Sequence, residues 1–303
     1  MPCFYPIKGW RSRTPGASGK YSVVFTPTLG FRDLPMEVPC GQCIGCRLER
    51  SRQWAMRCVH EASLYDRNCF ITLTYDDNHL PLDHGLDKSA FPKFMKRLRK
   101  KFGTGVRYFH CGEYGEQFGR PHYHACLFNF DFYDKKIWKV GVGDVPLYSS
   151  DVLASLWPFG FGSIGEVTFE SAAYVARYVM KKVTGVSADE HYVWIDDSTG
   201  EFFKRTPEYT TMSRRPGIGR EWFNRYRSDV YPDDFVVMRG VKMKPPKYYK
   251  LQYELDSPIE AKRLANKRLE SAVRRAGDAT RDRLQVRERI VRSRVSQLKR
   301  GLT

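Results

Sequence analysis

The sequence has no apolar run near the ~20 residues that a membrane-spanning helix requires, and its mean hydropathy is −0.53. No membrane partner is expected. The N-terminus, MPCFYPIKGWRSR, carries charge but no apolar stretch of about 7–15 residues, so no secretory signal is read and a reducing cytoplasm is the expected location. Cysteine is sparse. Eight spread over 303 residues do not make the disulfide framework of a small secreted domain, and three of them cluster at Cys40, Cys43 and Cys46. The phosphate-binding loop GxxxxGK[ST] is missing, because the stretch from Gly16 to Tyr21 is too short and ends in tyrosine; no ATP-driven helicase is encoded. There is no internal repeat. Acidic residues are outnumbered 34 to 51 by lysine and arginine, leaving a net charge of +17 that favours a polyanionic partner.

Core-forming material is plentiful. With 42% hydrophobic residues, 19 Phe, 18 Tyr and 6 Trp, the chain is too apolar for a disordered basic tail and long enough for one large domain or two small ones. Leu48, Ala55, Val59 and Ala62 share a helical face, and Cys69 to Tyr75 is rich in β-formers. A helix with Ser89 as N-cap follows, its stripe traced by Phe91, Phe94, Met95, Leu98 and Phe102. Val106 to Glu113 and His122 to Phe130 read as an antiparallel hairpin, and Ser163 to Val167 as a short strand. Thr168 is a candidate N-cap for a helix over Phe169 to Val183, and a further hairpin is expected over His191 to Arg205. The order β-α-β-β, then β-α, predicts an α+β fold with a mostly antiparallel sheet. From Ile259 onward 14 basic residues face five acidic ones, with helical spacing interrupted at Gly277. This C-terminal arm is either a solvated charged helix pair or a phosphate-gripping element.

Two constellations carry chemistry. In Arg120-Pro121-His122-Tyr123-His124 the histidines stand two apart on a strand and project from one face, where they can share a metal ion. Glu113 ends the preceding strand, and the hairpin would place its carboxylate opposite them; Glu116, in the turn, is the competing carboxylate. Two imidazoles and a carboxylate suit Mg²⁺ or Mn²⁺ acting on a phosphate oxygen. The second constellation is Tyr174, Tyr178, Lys181 and Lys182, at helical spacing. Such a tyrosine pair can simply pack, but the helix has its own apolar stripe in Ala172, Val175, Ala176 and Val179, which leaves the phenols available. A phenol can attack a phosphodiester when a metal polarises the phosphorus and a lysine steadies developing charge.

In this order, after the strand Phe70 to Thr74, these elements resemble the HUH-type rolling-circle replication initiators over about residues 69 to 183. The resemblance implies metal ligands at Glu113, His122 and His124, nucleophiles at Tyr174 and Tyr178, and a motif lysine at Lys181 with Lys182 a close second. The start Met-Pro-Cys-Phe-Tyr-Pro, the segment Pro39 to Arg47 and the segment Met212 to Gly219 are similar to the replication initiators of gokushoviruses, single-stranded DNA bacteriophages of the microvirus family. What this implies is an HUH endonuclease-like central antiparallel sheet with flanking helices. The enzyme would nick and rejoin viral origin DNA through a tyrosine–DNA bond in a bacterial host's cytoplasm, with host helicase and polymerase as partners. A non-catalytic single-stranded DNA-binding protein and a plain metal-dependent nuclease are the alternatives.

Cys40, Cys43 and Cys46, with Cys3 upstream, could complete a structural Zn²⁺ site; unmetallated thiols are the other reading and an iron–sulfur cluster a third. Cys58, Cys69, Cys111 and Cys126 fall in apolar patterns and are expected in the core. Arg214, Arg215 and Arg220 lie in an Arg/Gly segment that could form a flexible phosphate-contacting loop. Three segments are expected: a Cys-containing segment 1–68 packed on the core, a nicking domain 69–255 that includes the additional hairpin and the Arg/Gly loop, and a basic helical arm 256–303.

Overall fold

The structure, a computed structural model, describes residues 3–16, 19, 21–115, 119–141, 145–178, 183, 187–196 and 199–297. Its elements begin with β1 (Ile7–Pro15), β2 (Tyr21–Val24), β3 (Gly30–Val38), α1 (Ile44–Ala62), β4 (Asn68–Tyr75), α2 (Ala90–Phe102), β5 (Arg107–Tyr114) and β6 (Pro121–Phe128). They continue with β7 (Lys136–Val140), β8 (Pro146–Ser149), α3 (Asp151–Leu156), β9 (Gly160–Gly165), α4 (Phe169–Tyr178), α5 (Ser187–His191), β10 (Val193–Ile195), β11 (Phe202–Lys204) and β12 (Tyr209–Met212). The last are α6 (Arg220–Val230), β13 (Val236–Met238), β14 (Val241–Met243), α7 (Lys247–Asp256), α8 (Pro258–Arg274) and α9 (Arg281–Ser296). The chain forms two compact units, one of Met1–Arg50 with Ala265–Lys299, the other built on Ser51–Leu264.

The second unit is organised on an antiparallel sheet of order β12-β5-β6-β4-β9-β8-β7. Its inner strands read as nearly continuous apolar runs because both faces are covered. On one face Ile71, Leu73, Tyr123 and Leu127 pack against Phe91, Phe94 and Leu98 of α2 and Leu153 and Leu156 of α3. On the other, Phe70, Phe109, Cys126 and Phe128 meet Ala172, Val175 and Ala176 of α4 and Ala55 and Cys58 of α1. Cys58, Cys69, Cys111 and Cys126 are all buried, as expected. A third cluster joins Met56, Phe223, Val230, Tyr249 and Leu264.

Several elements differ from the sequence reading. Ser89 makes no cap; its hydroxyl donates to Asp87 Oδ2 at 2.8 Å instead. Thr168 does cap α4, its Oγ1 accepting from the Ser171 amide at 3.1 Å. The helix expected to reach Val183 is described as far as Tyr178. The expected strand Ser163 to Val167 lies earlier, at Gly160–Gly165, beginning at a glycine with φ +149 whose Cβ would sit 2.3 Å from the Asp76 nitrogen. The first unit contributes an antiparallel β2-β1-β3 sheet that mixed, mostly exposed sequence did not reveal. Gly277 does lie between two helices, in a 3₁₀ turn separating α8 from α9.

Candidate active site on the central sheet

Strand register builds the site. In β6, His122 stands opposite Thr74 of β4 and Glu113 of β5, and His124 stands opposite Thr72 and Cys111. Tyr123, between the histidines, points to the other face, where it is fully buried. Thr72 and Thr74 sit at alternate positions of β4, so each hydroxyl reaches a histidine: Thr72 Oγ1 to His124 Nδ1 and Thr74 Oγ1 to His122 Nδ1, both at 2.9 Å. Both Nδ1 atoms are thereby engaged, which leaves Nε2 as the ring atom each histidine presents to other groups. Gly115 makes room for one of them: a Cβ there would lie 2.8 Å from His122 Nε2.

The Glu113 carboxylate reaches past its register partner His122 to His124. Glu113 Oε1 is 2.6 Å from His124 Nε2, and both side chains are almost wholly buried. His122 stands further off, its ring centroid 6.3 Å from that of His124. Tyr174 arrives from α4, whose Ala172, Val175 and Ala176 seat the helix on this face of the sheet. Its hydroxyl donates to Glu113 Oε1 at 3.4 Å, and its ring stands edge-on to His124 at 5.2 Å between centroids. The structure thus brings Glu113, His124 and Tyr174 into contact, with His122 beside them. The Tyr178 side chain, Lys181, Lys182 and Glu116 lie outside the described residues. Glu113, His122 and His124 thus present a carboxylate and two imidazoles, donor types that divalent cations accept, on one face of the sheet. Sequence reasoning passed over Thr72, Thr74 and Gly115; the alternation Thr-Leu-Thr, in phase with His-Tyr-His, was the available signal.

Residues 68–183, from the start of β4 to just beyond α4, match the family model for Replication-associated protein ORF2/G2P. The chain is 34% identical over 270 residues to Replication-associated protein VP4 of Bdellovibrio phage phiMH2K, covering 85% of this chain and 79% of that protein. The chain belongs to the phage replication-associated protein family. This replication-associated protein is also 35% identical over 230 residues to Replication-associated protein ORF2 of Spiroplasma virus 4, covering 72% of this chain and 68% of the relative. With Replication-associated protein ORF4 of Chlamydia phage 1 it shares 30% over 223 residues, 70% of this chain and 52% of the relative. No solved structure matches. The α+β fold, with a large antiparallel sheet flanked by helices, is HUH-endonuclease-like.

In the first unit of this replication-associated protein, the sulfur atoms of Cys3, Cys40, Cys43 and Cys46 all lie within 4.8 Å of one another. They are drawn together more tightly than the histidine and glutamate donors. Burial works against ionisation of Cys43, but the amides of Phe4 and Cys46 and the neighbouring thiols outweigh it and bring it down to about 7. Burial, reinforced by the Cys3 and Cys43 thiols, pushes Cys46 up.

The Arg/Gly segment is pinned rather than flexible. Its Gly219 amide donates to Glu61 Oε2 at 2.6 Å, Arg57 Nε donates to the Ile218 carbonyl at 2.9 Å, and Arg107 binds Glu61 and donates to the Pro216 carbonyl at 2.8 Å. Arg57 is itself stacked between Trp54 and Tyr248, at 4.0 and 3.9 Å from the ring centroids. The Gly219 N–H therefore serves a buried carboxylate. Its φ is +78, and a Cβ would lie 2.6 Å from Tyr249 Oη, so glycine is there for close packing. Arg214 and Arg215 are exposed on the segment, whereas Arg220 binds Gln252 and lies 3.8 Å from Asp256, tying α6 to α7.

Proposed function

We propose that this replication-associated protein starts rolling-circle replication of a viral genome by nicking origin DNA through a tyrosine–DNA phosphodiester, and later rejoins the displaced strand. The observation that carries the reading is the Tyr174 hydroxyl on Glu113, which itself rests on His124. A phenol delivered by a helix to an imidazole–carboxylate cluster has the position of a nucleophile. Mg²⁺ or Mn²⁺ held by Glu113, His122 and His124 would polarise a scissile phosphate. Thr72 and Thr74 hold the imidazoles in place, and Glu113 Oε1 orients the phenol through its hydrogen bond. As the Tyr174 Oη–P bond forms, the P–O3′ bond breaks. The phenol proton is lost to solvent and the leaving 3′ oxygen takes one up. Lys181 and Lys182, three and four residues beyond Tyr178 in the sequence, supply positive charge to the pentavalent phosphate.

The 3′-OH is then extended by a host polymerase behind a host helicase, since the chain carries no nucleotide-phosphate loop. Tyr178 attacks the regenerated origin after one circuit, and the freed 3′-OH attacks the Tyr174 phosphodiester. Each exchange forms one phosphoester bond and breaks one, so closure of the circle needs no ATP. Arg214 and Arg215 contact the phosphate backbone, with Arg220 holding their segment in place.

The test is to incubate the full chain with an origin-bearing single strand and Mn²⁺, then denature and look for a covalent protein–DNA adduct. The expected result is an adduct that disappears when Tyr174 and Tyr178 are both changed to Phe. No adduct from the wild type, or an undiminished one from the double variant, defeats the reading. Cleavage without adduct points to a hydrolytic nuclease, and binding alone to a coating protein.

A further inference from the structure

The four thiols of the first unit lie outside the proposed nicking chemistry. Cys3 comes from the start of the chain; Cys40, Cys43 and Cys46 come from the turn that opens α1. Cys3 Sγ is 3.5 Å from Cys40 Sγ and 3.9 Å from Cys43 Sγ. A disulfide needs about 2.0 Å, so these are free thiols. Tetrahedral zinc, with Zn–S bonds of about 2.3 Å, sets its sulfur atoms about 3.8 Å apart. The observed spacing matches that arrangement before any ion is placed.

The backbone is shaped to the same end. Amides donate to three of the sulfurs: Cys40 N to Cys3 Sγ at 3.2 Å, Cys43 N to Cys40 Sγ at 3.3 Å and Phe4 N to Cys43 Sγ at 3.4 Å. Such donors favour thiolate, the form that binds metal. Between Cys40 and Cys43, Gly41 takes φ +75, which a side chain would resist and which lets the turn bring both sulfurs to one point.

The cluster also has a load to hold. Phe4 and Cys43 are buried with Leu284 of α9, and Val291 packs against the same group. Tyr5 Oη donates to Glu288 Oε2 at 2.5 Å, and Glu288 is buried although it is charged. Leu284, Glu288 and Val291 recur at i, i+4 and i+7, so one face of α9 is docked. The rest of the helix leaves Arg281, Arg283, Arg289 and Arg294 exposed. A 16-residue helix this polar is marginal alone, and the apolar cluster beneath it is small. Small cores of this kind need a staple.

We propose that Cys3, Cys40, Cys43 and Cys46 bind one structural Zn²⁺, and that this zinc clasp seats α9 so that its arginines form a fixed DNA-backbone grip. The grip rests on the DNA partner proposed above; the clasp does not. The experiment uses the full chain. Elemental analysis should find close to one zinc per chain after desalting. Removing it with a chelator, or changing Cys43→Ser, should speed hydrogen exchange in α9 by about tenfold or more while leaving β4 to β6 protected. Re-added zinc should restore protection in the chelated wild type. Cys46→His, which keeps a ligand, should retain the metal and separate ligation from misfolding. Absence of zinc, iron in its place, or α9 exchange unchanged on zinc removal overturns the clasp. If zinc and α9 respond as stated but the salt dependence of binding to an oligonucleotide does not change, the clasp stands and the grip is overturned.

Discussion

At the scale of single residues, the candidate site depends on groups that orient its histidines. Thr72 and Thr74 engage both Nδ1 atoms, so replacing either with Val removes one hydrogen bond that orients an imidazole while keeping the shape of the strand. Each change is expected to weaken Mn²⁺ binding by about 10–100-fold, measured by calorimetric titration, with the melting temperature nearly unchanged. Affinity equal to wild type would remove the threonines from the site. Gly115→Ala tests the same geometry from the opposite side. Its methyl would sit 2.8 Å from His122 Nε2, so metal affinity should fall there too, although no hydrogen-bonding group is removed.

At the scale of elements, the Arg/Gly segment and the junction of α1, α6 and α7 are held by buried polar groups. Glu61 accepts from Arg107 and from the Gly219 amide, and Glu61→Ala leaves both without that acceptor. A cost of about 3 kcal/mol is expected, read as a lower urea midpoint at unchanged m-value. The same junction carries a pH dependence. The His60 ring stacks on Trp222 at 3.5 Å and shares a 2.9 Å hydrogen bond with Tyr249 Oη, and burial pushes its pKa down to about 3. The unfolded chain takes up a proton near pH 6.5 while the folded one resists until about pH 3. Stability from this group is therefore complete above pH 6.5 and falls by about 1.4 kcal/mol per unit on acidification below it. Urea titrations at pH 7 and pH 5 should show His60→Gln losing about 2 kcal/mol less than wild type over that interval. Equal losses would mean that His60 is protonated in the folded chain.

At the scale of the whole molecule, the net charge of +17 is placed by tertiary packing. The arm from Ile259 onward holds +9 of it, but α9 docks through Leu284 and Glu288 against Phe4 and Tyr5 rather than trailing as a tail. Truncation would therefore uncover the cysteine cluster as well as remove charge. Changing exposed Arg281, Arg283, Arg289 and Arg294 to Gln isolates the electrostatics. The log–log salt dependence of single-strand binding should become shallower by about 0.7 for each phosphate that an arginine no longer neutralises. Adduct formation on a short oligonucleotide at low salt should persist. An unchanged slope would place the DNA path elsewhere.

The amino-acid sequence by itself determined the strands β4, β5 and β6, the helices α2 and α4, and the histidine pair, because each is written in neighbours two, three or four residues apart. It could not reveal β7, β8 or β12, which are short and either exposed or half-buried throughout, nor the pinning of Gly219 by Glu61, which are separated by 158 positions. Tertiary structure alone decided that the Glu113 carboxylate meets His124 rather than its register partner, that two threonines hold the imidazoles, and that the first cysteine joins the other three beneath the last helix. Local periodicity selects an element and its apolar face. Which side chains then meet depends on sheet register and on packing between segments remote in sequence, and only the folded chain brings those together.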